Sequence, residues 1–274
     1  MSVQNRLFLV AMRSFENVVR LFGHSAYWKV IPRIVETLDV IYDVPVDDKV
    51  IKMYCGGEIA RTRADRALTA EPDTIEWINS FDPDDVFLDI GANVGVFTLY
   101  ATHIRGIRTI SIEPSASNYF ALIRNLRLNN VGHIAYPICA ALSDETGVSE
   151  ILFHDVSTLI GGSGVMTANG DRGSVGWDNT VPMIHGFCIK ADDLIETLKL
   201  PCPQHLKMDI IGTQKAVVDG AQNLLKDPRL KSAMLEFPDD AIQSEAVNTM
   251  MKNCGFIEDD RFKHCRLNFF FKRP

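Results

Sequence analysis

From residue 85 onward, short apolar segments alternate with stretches in which apolar residues recur at helical spacing. Val86–Ile90, Thr109–Ile112 and Ile134–Leu142 are the apolar segments, and helical patterns separate them. Apolar strands that are bounded by turn residues and separated by helices predict βαβ units with a buried parallel sheet. The same order continues with His205–Ile211, Lys215–Leu225, Lys231–Phe237, Glu245–Cys254, Gly255–Glu258 and Arg266–Phe271. The last two of these segments predict a closing antiparallel pair.

The first 80 residues do not show this alternation cleanly, although strands are possible around Val50–Tyr54. An amphipathic pattern from Val3 to Phe22 predicts a helix that packs on the protein or on a partner, with membrane-surface binding as the alternative. No stretch approaches 18 uninterrupted apolar residues, so we expect no membrane-spanning helix. We therefore predict an N-terminal helical cap or interface segment over residues 1–80, with a homo-oligomer through its first helix, and one domain over residues 81–274.

Charge and cysteine usage narrow the range of functions. The net charge of the 274 residues is −7, and no basic stripe is present, which argues against a nucleic-acid partner. The six cysteines form no Cys-x-x-Cys pair, and no histidine pair has zinc spacing, so we expect no metal site. Scattered cysteines of this kind favour a reducing, cytoplasmic location.

The motif Asp89-Ile90-Gly91-Ala92-Asn93-Val94-Gly95 lies where a buried strand turns into a helix. Ligands bind beyond the carboxyl ends of such strands, and the two glycines allow a tight turn with close backbone approach. A dinucleotide fingerprint would need glycines where the chain has Asn93 and Val96, so a nicotinamide oxidoreductase is disfavoured. The acid Asp89 before the turn suits a ligand that carries an ammonium group.

A second acid, Glu113, ends the next strand, 22 residues after Gly91. An acid at that place can accept hydrogen bonds from both hydroxyls of a ribose. An ammonium group and a ribose without a phosphate together indicate S-adenosylmethionine as the cofactor.

The chain resembles the FkbM-type methyltransferase family over roughly residues 60 to 237. The resemblance is carried by Glu71-Pro72-Asp73-Thr74-Ile75-Glu76-Trp77, the Asp89–Gly95 motif, Ile112-Glu113-Pro114, Asn118, Leu122, Asn125, Asn129, Ala141-Leu142-Ser143-Asp144, His205-Leu206-Lys207-Met208-Asp209, Gly212, Gly220-Ala221 and Glu236. It implies an α/β fold of the Rossmann-like class I methyltransferase type. The expected architecture is a three-layer sandwich with a mostly parallel seven-stranded sheet and the closing antiparallel hairpin. It also implies methyl transfer from S-adenosylmethionine to a hydroxyl oxygen of a small molecule, such as a sugar, glycolipid or natural-product precursor.

The resemblance also assigns the cofactor-binding residues. The methionine end of the cofactor would be held by Asp89, Gly91, Ala92, Asn93 and Gly95. Glu113 would hold the ribose. Pro114 and the turn from Ala141 to Asp144 would border the adenine.

Asp209 is the predicted catalytic residue, because its carboxylate follows a strand at the ligand-binding edge. The alternative is a cap for the helix that begins near Thr213. The family usually has two further acids after this aspartate, where this chain has Ile211 and Gln214. Their absence motivates a second hypothesis, a catalytically impaired partner subunit that binds the cofactor. Glu236 ends the next strand and is predicted to lie at the rim of the site or on the surface.

A glycine-rich segment over residues 158–177 is the predicted substrate lid, since a long segment without a period is often functional. His154 and His185 flank it and are candidates for a base or a substrate contact, with an ordinary loop histidine as the default. His205 begins a strand at the opposite end from the expected site and is predicted to be structural.

Overall fold

The structure is a computed structural model of the 274-residue chain. It describes residues 3–152, 165–166, 184–210, 212–237, 241–262 and 267–274. These fall into two compact units, of which the first ends at Val40 and the second begins at Ile41. The predicted lid segment and His154 lie outside the described residues, apart from the two residues 165–166.

The first unit is a pair of helices, α1 (Val3–Leu21) and α2 (His24–Thr37). Glu16 joins the two helices, since its carboxylate accepts hydrogen bonds from Arg20 at 2.8 Å and from the Tyr27 hydroxyl at 3.0 Å. Several apolar side chains of this unit remain exposed, including Phe15 at 46%. Within the described residues, no helix is both long and apolar enough to cross a membrane.

A seven-stranded sheet forms the centre of the second unit. Its strands are β3 (Val86–Ile90), β4 (Arg108–Ile112), β5 (Ala135–Ile138), β10 (His205–Met208), β11 (Ser232–Glu236), β12 (Ile257–Glu258) and β13 (Asn268–Lys272). Their order is β12-β13-β11-β10-β3-β4-β5. The strands from β11 to β5 run parallel, whereas β13 is antiparallel to both of its neighbours. The predicted parallel sheet with a closing antiparallel hairpin is therefore confirmed.

Helices cover both faces of this sheet. The helices are α3 (Glu58–Asp65), α4 (Pro72–Asn79), α5 (Val96–Leu99), α6 (Ala116–Leu128), α7 (Ala191–Thr197), α8 (Gln214–Asp219), α9 (Gln222–Lys226) and α10 (Ala241–Asn253), with one π-helical turn, Tyr100–Ile104, directly after α5. Side chains alternate along a strand, so Phe87 enters one core with α3 to α6, while Leu88 and Ile90 enter the other with α7 to α10. The predicted three-layer sandwich is confirmed by these two cores.

Residues 41–54 form a β-hairpin, whose second strand includes the possible strand around Val50–Tyr54. Its strands are β1 (Ile41–Val46) and β2 (Lys49–Tyr54), paired antiparallel. The hairpin forms because alternate residues are apolar, so that Val44, Val46, Ile51 and Met53 are buried in the core of the second unit. The hairpin belongs to the second unit, which begins at Ile41. The predicted domain boundary at residue 80 remains a prediction.

Asn125 of α6 and Asn129, the C-cap of that helix, lie one turn apart and hold the hairpin. Asn125 is fully buried, accepts the amide of Tyr54 at 2.6 Å and donates to the carbonyl of Val94 at 2.8 Å. Asn129 pairs with the backbone of Lys52 through both its amide oxygen and its amide nitrogen. The two side chains thereby make hydrogen bonds to the backbone of β2 like those of a neighbouring strand. Through the Val94 carbonyl, Asn125 also fixes the turn that follows β3.

The remaining strands form a separate sheet. They are β6 (Ala141–Leu142), β7 (Gly147–Leu152), β8 (Val165–Met166) and β9 (Ile184–Ile189), in the order β6-β9-β7-β8. Strands β7 and β9, on either side of the glycine-rich segment, therefore pair with each other, antiparallel, rather than with the central sheet.

Candidate active site

The turn between β3 and α5 has a backbone that few residues can adopt. Gly91, Asn93 and Gly95 have positive φ angles of 81°, 52° and 90°. Glycine and asparagine are the residues that tolerate this region. A side chain at Gly91 would in addition overlap the carbonyl oxygen of Asp209 on the neighbouring segment. The positions predicted for a tight turn with close backbone approach therefore have that geometry.

Every backbone amide of this turn from Gly91 to Gly95 has an acceptor within the protein. The amides of Gly91 and Ala92 both donate to the carbonyl of Ile112 at 3.0 Å, and Gly95 donates to Ala92 at 2.8 Å. The amide of Asn93 donates to Glu113, and its own side chain accepts the amide of Val94 at 2.9 Å. The turn thus offers none of these five donors to a phosphate group, which a dinucleotide-binding loop would do.

Glu113 lies beneath the turn and is 5% exposed. Its carboxylate accepts the amides of Asn93 and Ser115, both at 2.8 Å, and the side-chain amide of Asn118 at 3.4 Å. Burial raises the pKa of Glu113 to about 7, although these hydrogen bonds oppose the shift. The predicted ribose-binding acid is therefore fixed in contact with the predicted methionine-binding turn.

Asp89 is buried at the end of β3, next to the turn. One of its oxygens accepts the Thr98 hydroxyl at 2.6 Å, while Oδ1 has no hydrogen-bond partner among the described residues. Burial raises the pKa of Asp89. A buried carboxylate oxygen without a donor is costly, so this atom has unused capacity for a hydrogen bond.

Lys207 lies beside Asp89 on the neighbouring strand and is 1% exposed. Its ammonium group donates to Asp209 Oδ2 at 2.9 Å and lies 4.6 Å from the ring centre of Phe97. Burial opposes the charged amine, but the carboxylates of Asp209, Glu71 and Asp89 outweigh it and raise the pKa of the amine. Lys207 is thus a buried cation next to three carboxylates.

Asp209 follows β10, and Glu236 ends the adjacent strand β11. Each carboxyl group affects the pKa of the other. Burial and then the charge of Asp209 raise the pKa of Glu236 to about 8. Burial also disfavours the Asp209 carboxylate, but Lys207 outweighs it and the pKa of Asp209 is lowered. Glu236 is therefore not an isolated surface acid. Asp209 does not cap the following helix, because Thr213 is the N-cap of α8.

A cavity of about 360 Å³ opens at this edge of the sheet. Of the predicted site residues, Gly91, Ala92, Asn93 and Asp209 line it. Those that are not among its lining residues are Asp89, Gly95, Glu113, Pro114, Ala141 and Asp144. Glu113 is joined to the lining through the amide of Asn93, whereas Asp89 bonds Thr98, which does not line the cavity. Ala141 is buried and Asp144 is exposed on a separate turn. The adenine-bordering role of that turn remains a prediction.

The opposite wall of the cavity was not predicted. Helix α3 contributes Thr62 and Arg63, its C-cap residue Arg66 follows, and Glu71 is the N-cap of α4. Phe97 of α5 completes the apolar part of the lining. The sequence signals for this wall were the arginines Arg61, Arg63 and Arg66 and the motif that begins at Glu71, neither of which by itself indicates a particular ligand.

Gln214, one of the two departures from the family pattern, is fully buried. Its side-chain nitrogen donates to the carbonyl of Ile210 at 2.7 Å and to that of Glu236 at 3.5 Å. The other departure, Ile211, lies outside the described residues. Gln214 therefore supports the backbone of the two strand ends that carry the acidic pair.

His205 is structural, as predicted. It stacks on Phe81 with ring centres 3.6 Å apart and bonds Ser232 at 2.7 Å and Asp85 at 2.8 Å. Burial lowers its pKa to about 4. His185 is exposed on β9, and its suggested role as a base remains untested. Among the described residues, no group of three or more potential metal ligands comes together.

No model of a known protein family matches the chain. A curated relative, the 31-O-demethyl-FK506 methyltransferase FkbM of Streptomyces tacrolimicus, is 26% identical over 196 residues, which cover 64% of this chain and 73% of the relative. The crystal structure of a methyltransferase FkbM from Methylobacillus flagellatus matches 78% of this chain with a TM-score of 0.51 and 14% identity. The chain spans about half of that solved structure, 53% of its length, and at this identity the match shows the fold alone. The resemblance to the FkbM-type methyltransferases that the motifs predicted is thereby confirmed, in sequence by the first protein and in fold by the second.

Proposed function

We propose that the protein is an S-adenosylmethionine-dependent methyltransferase that acts on a hydroxyl oxygen of a small molecule. The observation that carries the proposal is the turn from Gly91 to Gly95, whose five amides are satisfied internally while two buried acids, Asp89 and Glu113, adjoin it. Such a site suits a ligand with an ammonium group and a ribose and without a phosphate. The curated relative is itself a methyltransferase, which supports the same reading.

The residues present fit this cofactor. Asp89 Oδ1 is a buried acceptor without a donor among the described residues. Gly91 lies at the wall of the cavity, where its lack of a side chain lets the carbonyl group of Asp209 approach closely. When bound, S-adenosylmethionine supplies a methyl group whose bonding electrons return to sulfur, so the acceptor oxygen gives up one proton for each methyl that it gains.

The chain's own residues then have separable tasks. Glu113 orients the turn through the Asn93 amide and accepts from ligand hydroxyls. Phe97 and α3 close the cavity on the other side and limit the access of water. Asp209, which lines the cavity, is the carboxylate available to the acceptor.

The reading as an impaired partner subunit is the weaker one. It rested on the acids missing after Asp209, yet Asp209 and Glu236 still place two carboxyl groups at this edge of the sheet. Two acids of the family pattern are therefore absent from this chain, but the cavity still has an acid, Asp209, in its lining. A cytoplasmic location and self-association through α1 remain proposals alongside this function.

The test is calorimetric titration with S-adenosylmethionine and, separately, with NAD. We expect the wild type to bind S-adenosylmethionine with a Kd of about 1 μM or tighter, roughly −8 kcal/mol. Glu113→Ala and Glu113→Gln should each weaken binding by about tenfold or more, because a hydrogen bond to a charged group is worth about 1.5–3 kcal/mol. Glu145→Ala, at an exposed position outside the cavity lining, is the matched control and should bind as the wild type does.

Two outcomes would contradict the proposal. One is a folded wild type that does not bind S-adenosylmethionine, with folding checked by thermal melting. The other is NAD binding that is stronger than S-adenosylmethionine binding.

A further inference from the structure

One side of helix α1 and of the residue that follows it is apolar and exposed. Five large apolar residues on this side are between 46% and 85% exposed. At 3.6 residues per turn, their positions fall within about 140° of the helix circumference. These residues, which we call the apolar stripe, are Val10, Phe15, Val18, Leu21 and Phe22. A continuous stripe of this kind is usually buried against another surface.

Helix α1 meets α2 through a different side. Glu16 and Arg20 lie outside the apolar stripe, and both contact Tyr27 of α2. The guanidinium group of Arg20 is 4.4 Å from the ring centre of Tyr27. Val19 is buried and follows Val10 by nine residues, which places it on the opposite side of the helix. The pairing of the two helices therefore leaves the apolar stripe open.

Basic residues accompany the apolar stripe. Arg6, Arg13 and Arg20 recur every seven residues, so their positions follow one line along α1. Arg13 and Arg20 are exposed. This line borders the stripe, because Arg13 comes three residues after Val10, less than one turn away.

The net charge of the first unit is opposite to that of the rest of the chain. Five basic and three acidic residues give residues 1–40 a net charge of +2, and the rest carries −9 because the whole chain carries −7. The basic residues are Arg6, Arg13, Arg20, Lys29 and Arg33, and the acidic residues are Glu16, Glu36 and Asp39. An anionic surface therefore attracts the first unit and repels the remainder.

We propose that the first unit docks on an anionic lipid bilayer. The apolar stripe enters the headgroup region, and the arginines beside it bind lipid phosphates. An apolar stripe flanked by arginines is typical of a helix that lies in the membrane interface. Trp28 of α2 is 58% exposed and is of a residue type that is enriched at this interface.

Protein partners fit the apolar stripe less well. In a two-fold dimer of this chain through the stripe, the same side of α1 would face itself. Its arginines would then meet a helix whose one acid, Glu16, already accepts from Arg20 and Tyr27. A groove that encloses a helix is also disfavoured, because α2 occupies one side of α1. Self-association through α1 uses the same stripe, so it is the competing outcome of the test.

The test is cosedimentation of the full chain with unilamellar vesicles. The vesicles consist of phosphatidylcholine alone or of phosphatidylcholine with about 30% phosphatidylglycerol. At about 0.1 M salt, we expect the wild type to bind the anionic vesicles about tenfold more strongly than the neutral ones. The difference should shrink at about 0.5 M salt, because salt screens the attraction between the arginines and the lipid phosphates.

The fluorescence of Trp28 reports the same event. It should shift to shorter wavelength when anionic vesicles are added, because the exposed indole enters the interface. Trp28→Phe should remove this shift, since Trp77 is buried at 2% exposure.

The contribution of charge is tested by removing two arginines. Arg13→Gln combined with Arg33→Gln should weaken binding to anionic vesicles by about tenfold or more. Lys226→Gln combined with Lys252→Gln is the matched control, because it makes the same change of net charge at exposed positions of the second unit. The control should bind as the wild type does.

The contribution of the apolar stripe is tested at its two most exposed positions. Leu21→Ser combined with Phe22→Ser should weaken binding to anionic vesicles by about tenfold or more. Thermal melting should be unchanged, because the two side chains are 85% and 77% exposed in the free protein. Val148→Ser, at 74% exposure in the second unit, is the matched control and should bind as the wild type does.

Three results would overturn the inference. One is a folded wild type that binds neutral and anionic vesicles equally, and another is an arginine variant that binds as the wild type does. The third is a folded wild type that binds no vesicles, which would assign the apolar stripe to a protein surface. That surface is a second copy of the chain if light scattering shows a dimer that Leu21→Ser with Phe22→Ser dissociates. None of these results depends on cofactor binding, so the proposed function is tested separately.

Discussion

Replacing Lys207 by methionine tests whether the charge arrangement at the cavity stabilises the fold. The substitution removes the ammonium group and keeps a side chain of similar length in a position that is 1% exposed. Asp209, which the lysine contacts at 2.9 Å, then loses its nearest cation, and Asp89 and Glu71 lose the same positive charge. Removing one partner of a buried ion pair costs about 3–5 kcal/mol, and we expect Lys207→Met to lie in this range near neutral pH.

The loss should depend on pH with a definite sign. Lys207 holds the folded-state pKa of Asp209 at about 2, below its ordinary value of 3.8. That contribution is present above the unfolded pKa and is lost as the pH falls from about 4 towards 2. In the variant, burial without the lysine raises the carboxyl pKa values, so the carboxyl groups become neutral in mild acid. The deficit at about pH 4.5 should therefore be smaller than at about pH 7.5 by roughly 1–2 kcal/mol.

Urea denaturation followed by tryptophan fluorescence measures both quantities, since Trp77 is buried in the second unit at 2% exposure. Lys215→Met is the matched control, because this lysine is 60% exposed and pairs only with Asp219 one helical turn away. Its loss should be about 0.5 kcal/mol or less. The reasoning is refuted if Lys207→Met costs less than about 1 kcal/mol or if its cost is the same at both pH values.

Three further predictions concern the backbone and the structural histidine. Gly91→Ala should lower stability by roughly 3 kcal/mol, because a positive φ and overlap with the carbonyl of Asp209 each add strain; a Tm within a degree of the wild type would contradict this. Asn125→Ala should cost about 3 kcal/mol in urea denaturation, because two buried backbone groups lose their partners; a cost below 1 kcal/mol would count against it. His205 has a folded pKa of about 4 against an ordinary 6.5, so its contribution is complete above pH 6.5 and is lost as the pH falls to 4. The wild type should lose about 3 kcal/mol across this window and His205→Gln clearly less, and parallel pH profiles would disprove the assignment.

The central strand and its turn could be predicted because they depend on local sequence. Val86–Ile90 is apolar except for Asp89, and a strand that is buried on both faces is typical of the centre of a parallel sheet. Gly91 and Asn93 are residue types that accept positive φ, so the tight turn was visible as well. Glu113 could be placed because it ends the next strand of the same βαβ unit.

The proximity of Asp209 and Glu236 was harder to predict. Each was seen to end a strand, but their proximity depends on β10 and β11 being neighbours in the sheet. Strand order is decided by packing over the whole domain rather than by local pattern. Lys207 was noted as part of a motif, and its function as the central cation became visible only when Asp89 was found beside it.

The first strand of the hairpin and the second wall of the cavity were missed for different reasons. In the hairpin, Val44, Val46, Ile51 and Met53 do alternate with polar residues, but Pro45 and the charged residues between the strands weaken the pattern. In α3, the residues that face the cavity include Thr62 and Arg63, whose types indicate solvent as readily as a site. Only tertiary packing distinguishes the two cases.

Hydrogen exchange of the wild type, with and without saturating S-adenosylmethionine, tests most directly whether the turn after β3 is the cofactor site. The amides of Asn93 and Ser115 both donate to Glu113 in the free protein, so cofactor binding against this carboxylate should restrict their opening. We predict slower exchange in peptides covering residues 89–97 and 111–118, and no change in the first unit. Unchanged exchange in both peptides at saturating cofactor, or protection confined to other parts of the chain, would contradict the account.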